Sequence, residues 1–202
     1  MALHWHWLGS VPYGEMRARQ RERVEAVAAG GAEPVLWLLE HPDVVTVGRG
    51  GDWDEARASG LPAVETERGG GLTWHGPGQL VGYPVVRLED HDVHGHLRRV
   101  EEALIAWLGT LGIGGRREEG LTGVWVGAKK IASIGVAVRR WVAYHGFALN
   151  VAPDMSAFRR FRPCGLDPAV MTSLRELGVG GTPESCAPGV AAAFGAVRGA
   201  GA

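Results

Sequence analysis

At 202 residues, with 46% hydrophobic and 21% charged residues, the chain has the size and balance of one globular domain, residues 1–202, that can bury a real core. A formal net charge of −1 excludes a global pull toward nucleic acid or an anionic membrane, so any charge recognition must be local. Its longest apolar runs, such as Val35-Leu36-Trp37-Leu38-Leu39, are too short to span a bilayer, Met1–Trp7 lacks the regions of a signal peptide, and two cysteines suit a reducing compartment, so a cytoplasmic protein is expected.

Leu3–Leu8 predicts a first strand ended by Gly9 and Ser10. Tyr13–Ala29 predicts a helix with Met16, Val24, Val27 and Ala28 on its inner side, stopped by Gly30 and Gly31. Pro34–Glu40 and Val44–Gly48 predict strands joined at His41-Pro42-Asp43. A Gly-rich loop, Arg49-Gly50-Gly51-Asp52, one helical turn over Ala56–Gly60 and a short strand over Ala63–Glu67 follow. Arg68–Gly78 then reads as a second Gly-rich loop, with Gly69–Gly71 free to adopt left-handed backbone and to approach a ligand closely. Leu80–Val86 is the buried strand to which that loop is pinned.

Leu97–Leu111 predicts a helix with Val100, Leu104, Trp107, Leu108 and Leu111 as its core stripe. His91, His94 and His96 just before it read as a polar turn, because no acidic or cysteine ligands accompany them at a metal-site spacing. No metal is expected. From Arg116 the chain predicts an antiparallel meander, with strands at Gly123–Val126, Lys130–Val138 and Val142–Val151. A final helix begins with Thr182 as N-cap and Pro183 at its first position.

Two residues stand out chemically. Cys164 lies between Pro163 and Gly165, just after Arg159, Arg160 and Arg162, where a constrained backbone and positive field favour a nucleophilic thiolate. A free cysteine can equally be a small buried apolar residue, the reading preferred for Cys186. Lys129 and Lys130 interrupt an apolar strand and point to opposite faces, so at most one faces a site. A lysine entering that sheet must pair with an anion or lose basicity, unless it merely guards an edge strand. The arginines before Cys164, with Arg139 and Arg140, form either a docking surface for acidic partners or a solvated face.

Taken in register, Leu39-Glu-His-Pro42, Arg68-Gly-Gly-Gly-Leu-Thr-Trp-His75-Gly-Pro-Gly-Gln, Gly123-Val-Trp-Val126, Lys130-Ile-Ala-Ser-Ile-Gly135, His145-Gly-Phe-Ala-Leu-Asn150, Pro163-Cys-Gly165 and Thr172-Ser-Leu174 closely resemble the octanoyltransferases of lipoate biosynthesis. The resemblance covers nearly the whole chain. It implies an α+β fold shared with the catalytic domains of lipoate- and biotin-protein ligases, a mixed and largely antiparallel sheet flanked by helices.

The resemblance also implies roles. Cys164 would take an octanoyl (or lipoyl) group from acyl carrier protein as a thioester, and Lys130, selected over Lys129 by the motif register, would lower its pKa and shuttle protons. Arg68, Gly69, Gly70, Gly71, Leu72, Thr73, Trp74 and His75, with Ser133, Ile134, Gly135, Gly146, Phe147 and Ala148, would line the acyl pocket. Acceptors would be lysines on the lipoyl domains of 2-oxoacid dehydrogenase E2 subunits and on the glycine cleavage H protein. Passing from one thioester to another is nearly isoenergetic and aminolysis then runs downhill, so no ATP or other cofactor is required. The competing readings are an ATP-dependent lipoate or biotin ligase of the same fold and a non-catalytic module that binds acyl carrier protein.

Overall fold

A computed structural model describes residues 3–199. The chain builds a seven-stranded sheet in the order β1-β2-β6-β10-β9-β8-β7 and a three-stranded sheet in the order β4-β3-β5. The strands are β1 His4–Ser10, β2 Val35–Glu40, β3 Val44–Val47, β4 Ala63–Glu65, β5 Leu72–His75, β6 Gln79–Arg87, β7 Gly115–Glu118, β8 Leu121–Val126, β9 Lys129–Arg139 and β10 Val142–Asn150. The helices are α1 Tyr13–Ala28, α2 Trp53–Ala58, α3 Val93–Thr110 and α4 Pro183–Gly199. In the large sheet only β1 and β2 pair in parallel, which gives the mixed, largely antiparallel α+β class expected.

Alternation along the central strands divides their side chains between two cores. Val81, Tyr83 and Val85 of β6 meet Met16, Val24 and Val27 of α1 on one face. Leu80 of the same strand, with Phe147 and Leu149 of β10, meets Val100, Leu104 and Trp107 of α3 and Val190 and Phe194 of α4 on the other. The small sheet carries its own cluster, in which Leu72 and Trp74 pack with Val45, Phe158, Phe161 and Met171.

Several boundaries differ from the sequence reading. Leu72–His75, read as loop, is strand β5, pairing antiparallel with β3; its flanking glycines hid a short apolar run. Helix α3 starts at Val93 because the Asp92 carboxylate accepts from the Gly95 N–H and caps it ahead of His94 and His96, leaving His91 in the turn before it. Helix α2 likewise starts early, at Trp53, under the cap of Asp52. Strand β1 continues through Gly9 by an irregularity, and Ser10 still pairs with Glu40. At α4, Thr182 and Ser185 bond reciprocally, as the cap reading requires.

The centre of the large sheet depends on small residues. Gly82 of β6 lies opposite Phe147 of β10, whose ring occupies the space a side chain on Gly82 would need. A Cβ on Gly146 would overlap the Gly82 carbonyl and come 2.6 Å from Pro84 Cδ. Those are backbone and ring atoms of an interior strand, which cannot swing aside. Gly146→Ala should therefore destabilise the fold by about 1–3 kcal/mol, measured as a lower urea midpoint; an unchanged midpoint would show that β6 and β10 separate freely.

Candidate active site

The two Gly-rich loops lie side by side. Arg49 N–H bonds to Arg68 O, Gly50 N–H to Gly70 O and Gly48 N–H to Gly71 O, each at 3.1 Å. The second loop is laid on β9: Gly69 N–H donates to Val136 O at 3.0 Å, and a Cβ on Gly135 would sit 3.0 Å from Gly69 O. Any larger residue at 135 would lift the loop away.

Against this loop sits Cys164, exposed to solvent, in a tight turn over Pro163–Gly165. Its backbone is left-handed (φ 52°, ψ 33°), a conformation costing a non-glycine residue of order 1 kcal/mol or more. Surrounding contacts hold it there. The thiol points at Leu72 O, 3.5 Å away, and a Cβ on Gly71 would lie 3.4 Å from Cys164 Cα. Cys186, by contrast, is buried in the α3–α4 core, where burial pushes its thiol pKa up. Both cysteines are free.

Lys130 is buried and Lys129 exposed. Strand β9 is interior to the sheet, paired to β8 and β10, so Lys130 guards no edge. The β8–β9 register shifts between Val124 and Trp125, and both Ile131 and Ala132 enter the same core cluster. That irregularity re-aims Lys130 to the opposite side. Its aliphatic stem runs over Gly123, where a Cβ would meet Cε at 2.6 Å, and its ammonium lies 5.8 Å from the centre of the Trp125 ring. Burial lowers its pKa, while the nearby Cys164 and then Glu101 oppose the shift.

Glu101 was read only as part of a helix, yet it is fully buried, bonding to Arg98, Arg117 and the Gly123 N–H. A glutamate beside Val100 on the core stripe was the available signal.

A narrow slot opens beside Cys164. It encloses about 440 Å³ outside the protein's atoms. Most of it is too narrow to admit water, so an acyl chain, which is wider than water, has to push its walls apart on entering. Of the residues expected to line a pocket, Arg68, Gly69, Gly70, Thr73, His75, Ser133, Ile134, Gly135, Gly146, Phe147 and Ala148 line it. Gly71 lies behind Cys164, while Leu72 and Trp74 face the small sheet's cluster, with Trp74 Nε1 donating to Asp43. Trp74 therefore stands away from the slot rather than at its mouth. The sequence reading had not singled out Tyr13, Tyr83 or His145, which line the slot as well. Tyr13 opens a helix and Tyr83 sits in an apolar strand, so neither gave a signal; His145 stood inside a quoted motif.

Beside the lining residues Tyr83 and His75 runs a hydrogen-bonded ring cluster. Val11 O can only accept, so His41 Nδ1–H donates to it (2.5 Å) and the Tyr83 hydroxyl donates to His41 Nε2 (2.7 Å). His75 Nδ1–H donates to Gln79 Oε1 (2.8 Å), and Gln79 Nε2 donates to Asn150 Oδ1 (3.0 Å). Asn150 continues to Thr172 O, and Thr172 N–H bonds to Lys130 O. Burial lowers the pKa of His41, His75 and His145, so all three imidazoles are neutral at pH 7. Of the arginines read as a docking surface, Arg139 and Arg140 pair with Glu25, while among the described residues no ion pair engages Arg159, Arg160 or Arg162.

Comparison with known proteins decides the family. Residues 12–195 match the family model described as the lipoyl protein ligase A/B catalytic domain. The chain belongs to that family. It is 48% identical over 197 residues to an octanoyltransferase of Mycobacterium tuberculosis, covering 95% of this chain and 85% of that protein. It is 46% identical over 190 residues to one from Geobacter sulfurreducens, covering 93% and 81%. Among solved structures it resembles lipoate-protein ligase A bound with ATP, with a TM-score of 0.79 at 20% identity, over 98% of this chain and 86% of that one. Biotin protein ligase from Aquifex aeolicus superposes with a TM-score of 0.58 at 10% identity, over 99% and 71%. These structural likenesses concern the fold. No helix among the described residues is long and apolar enough to cross a membrane.

The buried histidines make stability depend on pH. Between the ordinary value of 6.5 and about 4, folded His41 is neutral while its unfolded counterpart is protonated. The unfolded state then binds more protons, so stability falls as pH drops through that window. For His41 alone the loss is of order 3 kcal/mol by pH 4. Denaturation between pH 8 and 4 should show this decline, with a shallower slope in His41→Asn; identical slopes would mean that His41 is not the neutral partner of Val11 and Tyr83.

Proposed function

We propose that this chain is an octanoyltransferase that takes a medium-chain acyl group from acyl carrier protein onto Cys164 and passes it to a lysine ε-amine of a lipoyl domain. The observation that carries the reading is the convergence of an exposed cysteine, a buried lysine whose basicity burial reduces, and a slot that the cysteine itself lines. The family match and the octanoyltransferase relatives support the same reaction. An adenylating ligase of this fold needs no nucleophilic thiol, and Cys164 would then have no task at the slot's mouth.

The chemistry follows from two groups. Lys130 in its neutral form takes the thiol proton, and the Cys164 thiolate adds to the donor thioester carbonyl, forming a carbon–sulfur bond. Collapse of the tetrahedral adduct breaks the bond to the carrier's sulfur, which leaves with the proton from the Lys130 ammonium. The acceptor amine then adds to the Cys164 thioester and gives its surplus proton to Lys130. Cys164 departs as thiolate, and an amide remains. A lysine of ordinary basicity would stay protonated at pH 7; one with a lowered pKa exchanges the proton in both directions.

In this reading the work is cytoplasmic and stands at the first step of endogenous lipoate synthesis, with E2 lipoyl domains and the glycine cleavage H protein as acceptors. Incubation with octanoyl-acyl carrier protein should add one octanoyl group to the intact protein, and Cys164→Ala should abolish the adduct. An adduct that survives in Cys164→Ala, or ATP–pyrophosphate exchange by the wild type, would overturn the assignment.

Lys130 carries a cost to the fold that its role explains. An unfolded lysine is charged up to about its ordinary 10.5, whereas burial disfavours the charge in the native state. In the window between the lowered value and 10.5 the unfolded state binds more protons, so the penalty relaxes as pH rises. Lys130→Met should raise Tm at pH 7, with an advantage that shrinks toward pH 10, and lower kcat at least about 100-fold, the lower end of a general base's contribution. Full activity in this variant would remove Lys130 from the chemistry.

A further inference from the structure

Arg68 is a buried cation whose nearest source of negative charge is the Cys164 thiol rather than a carboxylate. It is only 6% exposed, yet among the described residues no carboxylate pairs with it. Its Nη2 donates to Thr46 O (2.7 Å) and Oγ1 (2.8 Å), and Nη1 to Gly69 O (3.0 Å). All three acceptors are neutral oxygens. The Nε–H is buried without an acceptor. The adjacent carboxylate, Glu67, is committed to Arg17, Arg21 and His145. Burying a guanidinium this way is unfavourable unless an anion arrives during function.

The surroundings show where that anion would sit. Arg68 lines the slot, and glycines make room for its head. A Cβ on Gly48 would lie 2.8 Å from Nη1, and one on Gly135 would lie 3.2 Å from Cδ. A Cβ on Gly70 would lie 3.5 Å from Nη1 and 3.9 Å from Cys164 Sγ, so the guanidinium and the reacting sulfur both lie against Gly70. Burial lowers the pKa of Arg68; the charge that opposes this most is that of Cys164, ahead of Tyr13 and Tyr83, which are both neutral at pH 7.

We propose that Arg68 forms an anion subsite at the head of the slot, taking the negative charge that the acyl oxygen acquires when sulfur or amine adds to the carbonyl. Without a thioester, the same subsite binds the carboxylate of a free medium-chain acid. The inference rests on the acyl-slot reading above, but its test needs no acyl transfer.

Protection of Cys164 from iodoacetamide is measured at pH 7 with octanoate and with octan-1-ol, which share a tail and differ in charge. Octanoate should protect at a concentration at least about tenfold lower, the scale of one charge-assisted hydrogen bond. Arg68→Met should lose that preference while octan-1-ol still protects, and Arg68→Lys should keep most of it. Should Arg68→Met not fold, Lys130→Met decides: a surviving preference assigns the anion to Arg68, and a lost one assigns it to Lys130. Equal protection by the two probes in the wild type, or an undiminished preference in folded Arg68→Met, overturns the proposal. Because the octanoyl adduct is scored separately, failure here is distinguishable from failure of the transferase reading.

Discussion

The site depends on how closely one stretch of backbone can lie on another. The loop over Gly69–Gly71 rests on β9 at Gly135 and hydrogen-bonds to the loop over Gly48–Gly50, and Cys164 packs against its far side. At Gly48 and Gly135 a side chain would occupy space already filled by a carbonyl or the Arg68 guanidinium, and at Gly71 it would press on the Cys164 backbone. Close approach gives the slot its narrowness. It also sets Arg68 near the sulfur without exposing it. The glycines thus act through absence: they admit a cation into an interior that would otherwise exclude it.

The second constraint is electrostatic. Lys130 and Arg68 are buried beside one cysteine, and neither has a carboxylate in direct contact among the described residues. Glu101 tempers Lys130 from a distance while its own oxygens are held by Arg98, Arg117 and the Gly123 N–H. Paired directly with carboxylates, Lys130 would hold its proton and Arg68 would be neutralised. Left unpaired, Lys130 is free to exchange a proton with the thiol and Arg68 is free to meet the oxygen of a tetrahedral adduct. The arrangement trades stability for readiness, a common bargain at active sites.

Much of this was legible in the chain. Hydrophobic period gave the central strands and α1, and the resemblance gave the fold class, which the family match and the structural neighbours bear out. Strand β5 was hidden because four residues between glycines are too few to show a period. Tyr13 and Tyr83 were hidden because only packing brings the start of α1 and the middle of β6 to one slot. The irregularity at Ile131, which turns Lys130 away from the apolar core, belongs to the β8–β9 register and cannot be read from one strand. Motif order pointed to Arg68 as a pocket residue, but its lack of a counter-ion emerges only once every neighbouring carboxylate has a place.

The chain of hydrogen bonds from His75 through Gln79 and Asn150 to Thr172 has a geometric consequence. It ties the wall of the slot to the backbone of Lys130, and the ring cluster of Tyr13, His41 and Tyr83 packs beside that wall. On the transferase reading, a slot braced in this way and beginning at an exposed sulfur is a ruler with its zero at Cys164. In that reading the tail enters first, and a chain too long for the ruler would hold its carbonyl beyond the sulfur's reach. Length would then be measured by whether the reacting atoms meet, and selectivity would appear in the rate of transfer more than in the strength of binding.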